Sequence, residues 1–159
     1  MSPFAPLLAL LLLGQIAAPS PESALEGIWD GPMTNDQAGA CHLAGDLAGG
    51  SPRVQIAIAV QGDGLLSIHQ KDTQSDFDWT GRIVDGRVQV DIPRQSTCGD
   101  RSSRTSRYTV RLTGAMPALQ GTKRRLVLRG FDEPCPAERC RFNTTMTLFW
   151  KGPLPAAKP

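Results

Sequence analysis

The stretch DFDWTGRIVDGRVQVDI, residues 76–92, carries the clearest structural signal in the chain. Apolar or small residues alternate with polar ones on both sides of Asp85-Gly86, at positions 77, 79, 81, 83, 88, 90 and 92. Asp-Gly between two alternating segments is a strong hairpin signal, because both residues accept the positive φ angles of a tight turn. The stretch therefore predicts two antiparallel strands, each with one buried face.

The same alternation recurs along the chain, between segments rich in turn residues. It predicts eight strands, over residues 25–33, 53–60, 65–71, 76–84, 86–92, 107–114, 123–130 and 141–152. The segments 34–52 and 94–105 lack alternation, and we expect long loops there. Eight antiparallel strands joined in sequence order predict an all-β fold, a single up-and-down barrel. A β-sandwich is the alternative, since periodicity does not separate the two.

The first residues have the composition of an export signal. Leucines dominate residues 7–13, and the small residues 17–18 follow, so residues 1–17 are interpreted as a secretory signal peptide. The apolar run is too short for a membrane span. We expect a short linker over 18–24, a barrel domain over 25–152 and a disordered proline-rich tail over 153–159. The predicted location is periplasmic or secreted, and the excess of arginine over lysine suggests a bacterial source.

The four cysteines form an even set, which in an exported chain favours disulfides. Cys135 and Cys140 flank a short predicted loop and are the favoured first pair. Cys41 and Cys98 would then form the second pair, joining the two predicted long loops. A zinc site is the competing interpretation, but the spacing lacks paired C-x-x-C motifs, so no metal is expected.

Gly27 and Trp29, on the first predicted strand, form a G-x-W motif. This motif resembles that of the calycin-type barrels, the lipocalins and avidins. The resemblance implies an eight-stranded barrel in which the tryptophan packs across one end. Two roles are open for Trp29: a core plug, or one wall of a cavity for a small apolar ligand. In the second case Trp79 and Trp150 would be further walls, with Tyr108 as a polar contact.

Charge is unevenly distributed in a chain whose formal net charge is only +2. Residues 22–100 carry 12 acidic and 5 basic residues, whereas residues 101–131 carry 8 basic residues and no acidic ones. Strand alternation places four arginines on one outer face: Arg107, Arg111, Arg125 and Arg129. Either aspartates of the chain neutralise this face, or it binds an anionic glycan, lipid or protein surface.

No convincing catalytic motif accompanies these features, and we expect neither enzymatic activity nor a cofactor. Asp76 and Asp78 could in principle act as a carboxylate pair, but alternating outward aspartates are usually solvated. Nucleic acid is not expected, because net charge is low and the predicted compartment is unsuitable. The sequence thus predicts a non-catalytic binding protein. It holds a small apolar ligand in the barrel or, alternatively, acts as an interaction or inhibitor module of the cell envelope.

Overall fold

The chain forms one closed barrel of eight antiparallel strands. The structure, a computed structural model, describes residues 20–38, 53–71, 76–98, 104–118, 123–135 and 139–156. The side chains of residues 37, 94–98, 104–108 and 134–135 lie outside that description. The strands are β1 (Gly27–Ala38), β2 (Arg53–Val60), β3 (Leu65–Lys71), β4 (Asp76–Val84), β5 (Arg87–Cys98), β6 (Arg104–Ala115), β7 (Arg125–Cys135) and β8 (Cys140–Gly152).

The first strand closes the barrel by pairing with the last. Every strand pairs with its sequence neighbour, and β1 also pairs with β8, so that Trp29 lies opposite Trp150. This confirms the predicted barrel over the sandwich. A path that starts at Gly27 and passes from each residue to its partner on the next strand returns to β1 at Gln37. Such a stagger requires steeply tilted strands, as expected of a small closed barrel.

Alternate residues of all eight strands meet in a single core. It contains aliphatic and methionine side chains together with two tryptophans: Leu25, Trp29, Met33, Val54, Ile56, Ile58, Leu66, Ile68, Trp79, Val88, Val90, Ile92, Val110, Leu112, Leu126, Leu128, Met146 and Leu148. Burial of this apolar surface is the main stabilising contribution to the barrel. The predicted alternation is thereby confirmed for most inward positions, and Phe77 on β4, which is 49% exposed, is an exception.

Four strands extend well beyond the predicted bounds. β1 continues to Ala38, β5 continues to Cys98 and β6 begins at Arg104, all within segments expected to be loops. β7 continues to Cys135, beyond its predicted end at residue 130. The prediction was wrong there because it required an apolar face. Backbone pairing with a neighbouring strand, such as Gln95 with Arg107, continues beyond the apolar core.

The two ends of the barrel differ in how they are built. At the end where β1 begins and β8 ends, a 3-10 turn over Pro21–Ala24 precedes β1, and Leu25 is fully buried in the core. We call this the capped end. The turn lies within the predicted linker, where Ser20 accepts a hydrogen bond from the Ser23 amide. The opposite end, where β1 ends and β2 begins, is the far end.

The Asp85-Gly86 hairpin is present as predicted. It joins β4 to β5, and both residues have positive φ angles, 49° and 69°. These angles match the turn that the Asp-Gly sequence favours. The predicted signal peptide lies outside the described residues.

Candidate functional site

Trp29, the first predicted ligand wall, lies at the capped end. Its side chain is fully buried. Its indole Nε1 donates a 2.7 Å hydrogen bond to the carbonyl oxygen of Leu25, four residues earlier. A buried indole N–H needs such a partner. Trp29 therefore holds the chain that leads into β1 against the core.

Trp150, on the neighbouring strand, fastens the same segment from the other side. Its Nε1 donates to the carbonyl oxygen of Glu26 at 3.0 Å. The guanidinium group of Arg124 lies 4.5 Å from the centroid of the Trp150 ring, a cation–π geometry. Arg124 also donates to the carbonyl oxygens of Ser23 and Ala24. Two tryptophans and one arginine thus tie residues 23–26 to the barrel.

Gly27 makes this arrangement possible. Its φ angle is 135°, which L side chains rarely adopt. A Cβ atom at this position would collide with Nε1 of Trp150 and with the carbonyl oxygen of Gly152. The glycine and the tryptophan of the G-x-W motif therefore serve one purpose, the close packing of the capped end.

Trp79, another predicted ligand wall, belongs to the same buried core as Trp29, and Trp150 packs against that core. Trp79 lies on β4, with 5% of its surface exposed, and is paired with Ile68. Two residues before it, Phe77 is 49% exposed, although its position in the alternation is that of an inward residue. Tyr108 lies opposite Arg94, and its side chain is outside the described part of the chain.

A polar pair lies on the inward face of β1 and β8, towards the far end. Thr144 is 5% exposed, and its hydroxyl donates a 2.8 Å hydrogen bond to Oδ1 of Asn35. Thr144 stands between the buried residues Phe142 and Met146, so strand periodicity alone assigns it to the interior. The sequence analysis passed over this position because the residue is polar. The barrel interior is consequently less apolar here than at the capped end.

On the outer face, one of the four predicted arginines is neutralised by the chain itself. Nε of Arg111 donates to Oδ1 of Asp91 at 2.7 Å, and this hydrogen bond holds the pKa of Asp91 below its usual range. Asp91 is thus one of the chain's own aspartates, which were expected as one source of counter-charge. Arg107 lies opposite Gln95 on β6, and its side chain is outside the description.

Arg125 and Arg129 differ from Arg111 in their surroundings. Both side chains are exposed on the outer face of β7, and neither has an ion pair or hydrogen bond within the described residues. Exposed phenylalanines lie beside them: Phe149, 45% exposed, directly opposite Arg125, and Phe131, 56% exposed, two residues after Arg129. Phe149 was not predicted as a site residue. Its outward position follows the strand alternation, but its apolar side chain between Leu148 and Trp150 interrupts the apolar/polar pattern of the sequence.

These residues form a continuous two-strand surface, which we call the Arg–Phe strip. Four cross-strand pairs compose it: Arg125 with Phe149, Val127 with Thr147, Arg129 with Thr145, and Phe131 with Asn143. None of the eight residues is acidic. The exposed Lys123 and Lys151 adjoin the strip at the capped end. The strip is thus a cationic surface with an aromatic side chain towards each end.

Two acidic side chains near the strip are engaged by other arginines, whereas Asp36, opposite Asn143 on β1, is exposed. The Nε–H of Arg53 is shared between the two carboxylate oxygens of Asp30, and Nη2 donates a further hydrogen bond to Oδ2. Asp30 lies opposite Phe149 on β1. These hydrogen bonds lower the pKa of Asp30. At the other end of the strip, Glu133 accepts a hydrogen bond from Arg141. Neither carboxylate is directed at Arg125 or Arg129.

The predicted aspartate pair lies on another part of the surface. Asp78 contacts Nδ1 of His69 at 2.8 Å, and Asp76 lies 3.8 Å from Nε2 of the same ring. The two aspartate side chains are 87% and 60% exposed. Such exposure favours the interpretation as solvated outward residues.

The cysteine pairing is described only in part. Cys140 is buried and disulfide-bonded, and Cys135 is its register partner across the β7–β8 turn. The side chains of residues 98 and 135, and the whole of residue 41, lie outside the description, so both predicted pairings stay predictions. Among the described residues there is no cluster of three or more potential metal ligands. Nor does the described part of the chain contain a helix long and apolar enough to span a membrane.

Comparison of the chain with protein families, with curated proteins and with solved structures gave no match.

Proposed function

We propose that this protein is a non-catalytic binding module that recognises an anionic partner through the Arg–Phe strip. One observation carries the proposal: Arg125 and Arg129 are exposed on one strand face without an ion pair to any described residue, and exposed phenylalanines lie beside them. Aromatic residues and arginine are enriched at protein recognition sites. Arginine also suits anions, since its planar fork donates two hydrogen bonds to one phosphate or carboxylate.

The organisation of the barrel supports a role at its outer surface. Trp29 and Trp150 use their indole N–H groups on backbone carbonyls at the capped end. Side chains from all eight strands occupy the core. The barrel then serves as a rigid support that keeps the strip in a fixed geometry.

The proposal includes a relation to calycin-type barrels and an exported location. The strand number, the closure of β1 on β8, and the packing of Trp29 across one end support the first. The composition of residues 1–17 supports the second. The predicted disulfides belong to the same proposal, since they form in an oxidising compartment.

A second candidate function is the binding of a small apolar ligand towards the far end. Its support is Phe77, which is half exposed although it follows the inward alternation of Trp79. An aromatic surface of this kind at a barrel mouth suits an apolar ligand. This candidate would be favoured if a fluorescent fatty acid binds and quenches Trp79, and if the variant Phe77→Ser binds it more weakly.

Retention on immobilised heparin tests the main proposal. The variant Arg125→Gln/Arg129→Gln should elute at clearly lower salt than the wild-type protein, because two anion contacts are lost. The control variant Arg82→Gln/Arg87→Gln removes the same charge from β4 and β5, where both arginines are exposed. Equal loss of retention in both variants would mean that only net charge matters, and the proposal would be wrong.

A further inference from the structure

From the shape and chemistry of the Arg–Phe strip, we infer that its partner is an anionic phospholipid surface, which the barrel binds peripherally. The inference depends on the proposed function, since it names the partner of the same surface. It concerns adsorption on a headgroup layer and involves no membrane-spanning segment.

The charges of the strip suit a layer of headgroups. Arg125 and Arg129 are four residues apart on one strand face, which corresponds to about 13 Å. The exposed Lys123 and Lys151 add charge at the capped end. A cation near an anionic leaflet gains favourable free energy without precise pairing, because the negative charge is distributed over the surface.

The phenylalanines supply the second component of peripheral membrane binding. Phe131 is opposite Asn143, and Phe149 lies six residues further along β8, about 20 Å away. Both side chains are about half exposed and flank cations that project from the same outer face. Peripheral binding grows with the apolar area that enters the interface and with attraction to anionic lipids. An acidic protein would need two apolar sockets at this separation, whereas a headgroup layer accepts both side chains at once.

The middle of the strip presents no barrier to such contact. Thr145, Thr147 and Val127 are half-buried, so they project less than the arginines and phenylalanines. The threonine hydroxyl groups can donate hydrogen bonds to phosphate oxygens. Asp30 and Glu133, beside the strip on β1 and β7, are held by Arg53 and Arg141. The exposed Asp36 lies opposite Asn143, at the Phe131 end of the strip and not between the two arginines.

Co-sedimentation with vesicles tests the inference. The purified protein should bind vesicles of phosphatidylcholine mixed with phosphatidylglycerol, and should bind pure phosphatidylcholine far more weakly. Arg125→Gln/Arg129→Gln should lower the partition coefficient roughly 25-fold, from the usual contribution of two basic residues near an anionic surface. Arg82→Gln/Arg87→Gln should lower it less than about threefold, because these residues lie on another side of the barrel.

Two further variants separate lipid from other anionic partners. Arg125→Lys/Arg129→Lys should keep vesicle binding within about threefold, since a lipid surface responds mainly to charge. Phe131→Ser/Phe149→Ser should weaken vesicle binding by roughly tenfold through loss of apolar contact. If this phenylalanine variant binds vesicles as well as the wild type, the inference is wrong.

The vesicle and heparin measurements distinguish the two claims. If the wild-type protein ignores the vesicles but the strip controls heparin retention, the lipid inference fails and the proposed function stands. A glycan or an acidic protein would then be the partner. If strip substitutions change neither measurement, both claims fail. Circular dichroism and thermal unfolding should show that each variant is folded, as expected for exposed outer-face positions.

Discussion

Replacement of Trp29 by phenylalanine should destabilise the barrel through two separable effects. The smaller ring leaves a void of roughly 40 Å³, which costs about 1 kcal/mol at the usual dependence on cavity volume. The lost indole N–H leaves the carbonyl oxygen of Leu25 without its 2.7 Å hydrogen bond. Because Leu25 is fully buried, that loss should cost a further 1–3 kcal/mol, approximately. The expected total is about 2–4 kcal/mol.

Urea unfolding followed by circular dichroism measures this loss, with Trp79→Phe as the matched control. Trp79 is nearly as buried, but its indole makes no hydrogen bond within the described residues. The control should therefore lose only the free energy of unfolding that the void costs, about 1 kcal/mol. Equal losses in the two variants would refute the role given to the Leu25 hydrogen bond. A loss from Trp29→Phe below about 0.5 kcal/mol would refute the structural role of Trp29 as a whole.

Two further predictions concern a glycine and an ion pair. Gly27→Ala should lower the free energy of unfolding by roughly 2–4 kcal/mol, because of backbone strain and the collision with Trp150. Gly62→Ala, with open space around it, should change that free energy little. An equally small change for both variants in thermal unfolding would contradict this prediction. Asp91→Asn should reduce the loss of stability on acidification. The hydrogen bond from Arg111 lowers the pKa of Asp91, so the stabilisation is present above the unfolded pKa of about 4 and is lost as pH falls through the folded value. Since the Asp91–Arg111 pair is partly exposed, the wild type and the variant should differ in this loss of stability by less than about 1 kcal/mol. Urea titrations at neutral and acidic pH measure the loss, and equal losses in the two proteins would contradict the prediction.

The strands were predictable wherever one face of them enters the apolar core. Residues 53–60, 65–71 and 76–84 were predicted as strands with the bounds observed, because their alternation persists from end to end. Residues 94–98 were missed. Their strand continues by backbone pairing with β6, and pairing leaves no mark in the side-chain pattern.

The capped end was predictable only in part. The G-x-W motif placed Trp29 at one end of a barrel, and the structure agrees. The 3-10 turn was not predicted, although Ser20 followed by Pro21 is a typical start of a helical turn. The contacts of Arg124 with Trp150 and with residues 23–24 depend on closure of the barrel, which no local pattern contains.

The outer-face site, too, was predictable only in part. Alternation correctly placed Arg111, Arg125 and Arg129 on the outside. Which arginine has a counter-charge depends on the neighbouring strand, since Asp91 reaches Arg111 only through the β5–β6 register. The strip itself became visible only when the pairing of β7 with β8 set Phe149 beside Arg125.

The closure of β1 on β8 also determines when this protein can fold. The hydrogen bond from Trp150 to Glu26 joins residues 124 positions apart. Of the two strands that pair with β1, β8 is the last of the eight strands to be synthesised. Contacts of such long range form late and slowly, because the entropy of closing a large loop opposes them. Until β8 is available, β1 and β7 each lack one neighbour, and their unpaired edges favour association with other chains. The nascent protein is therefore most vulnerable to aggregation just before its last strand is available, and a holding chaperone would be most useful at that moment.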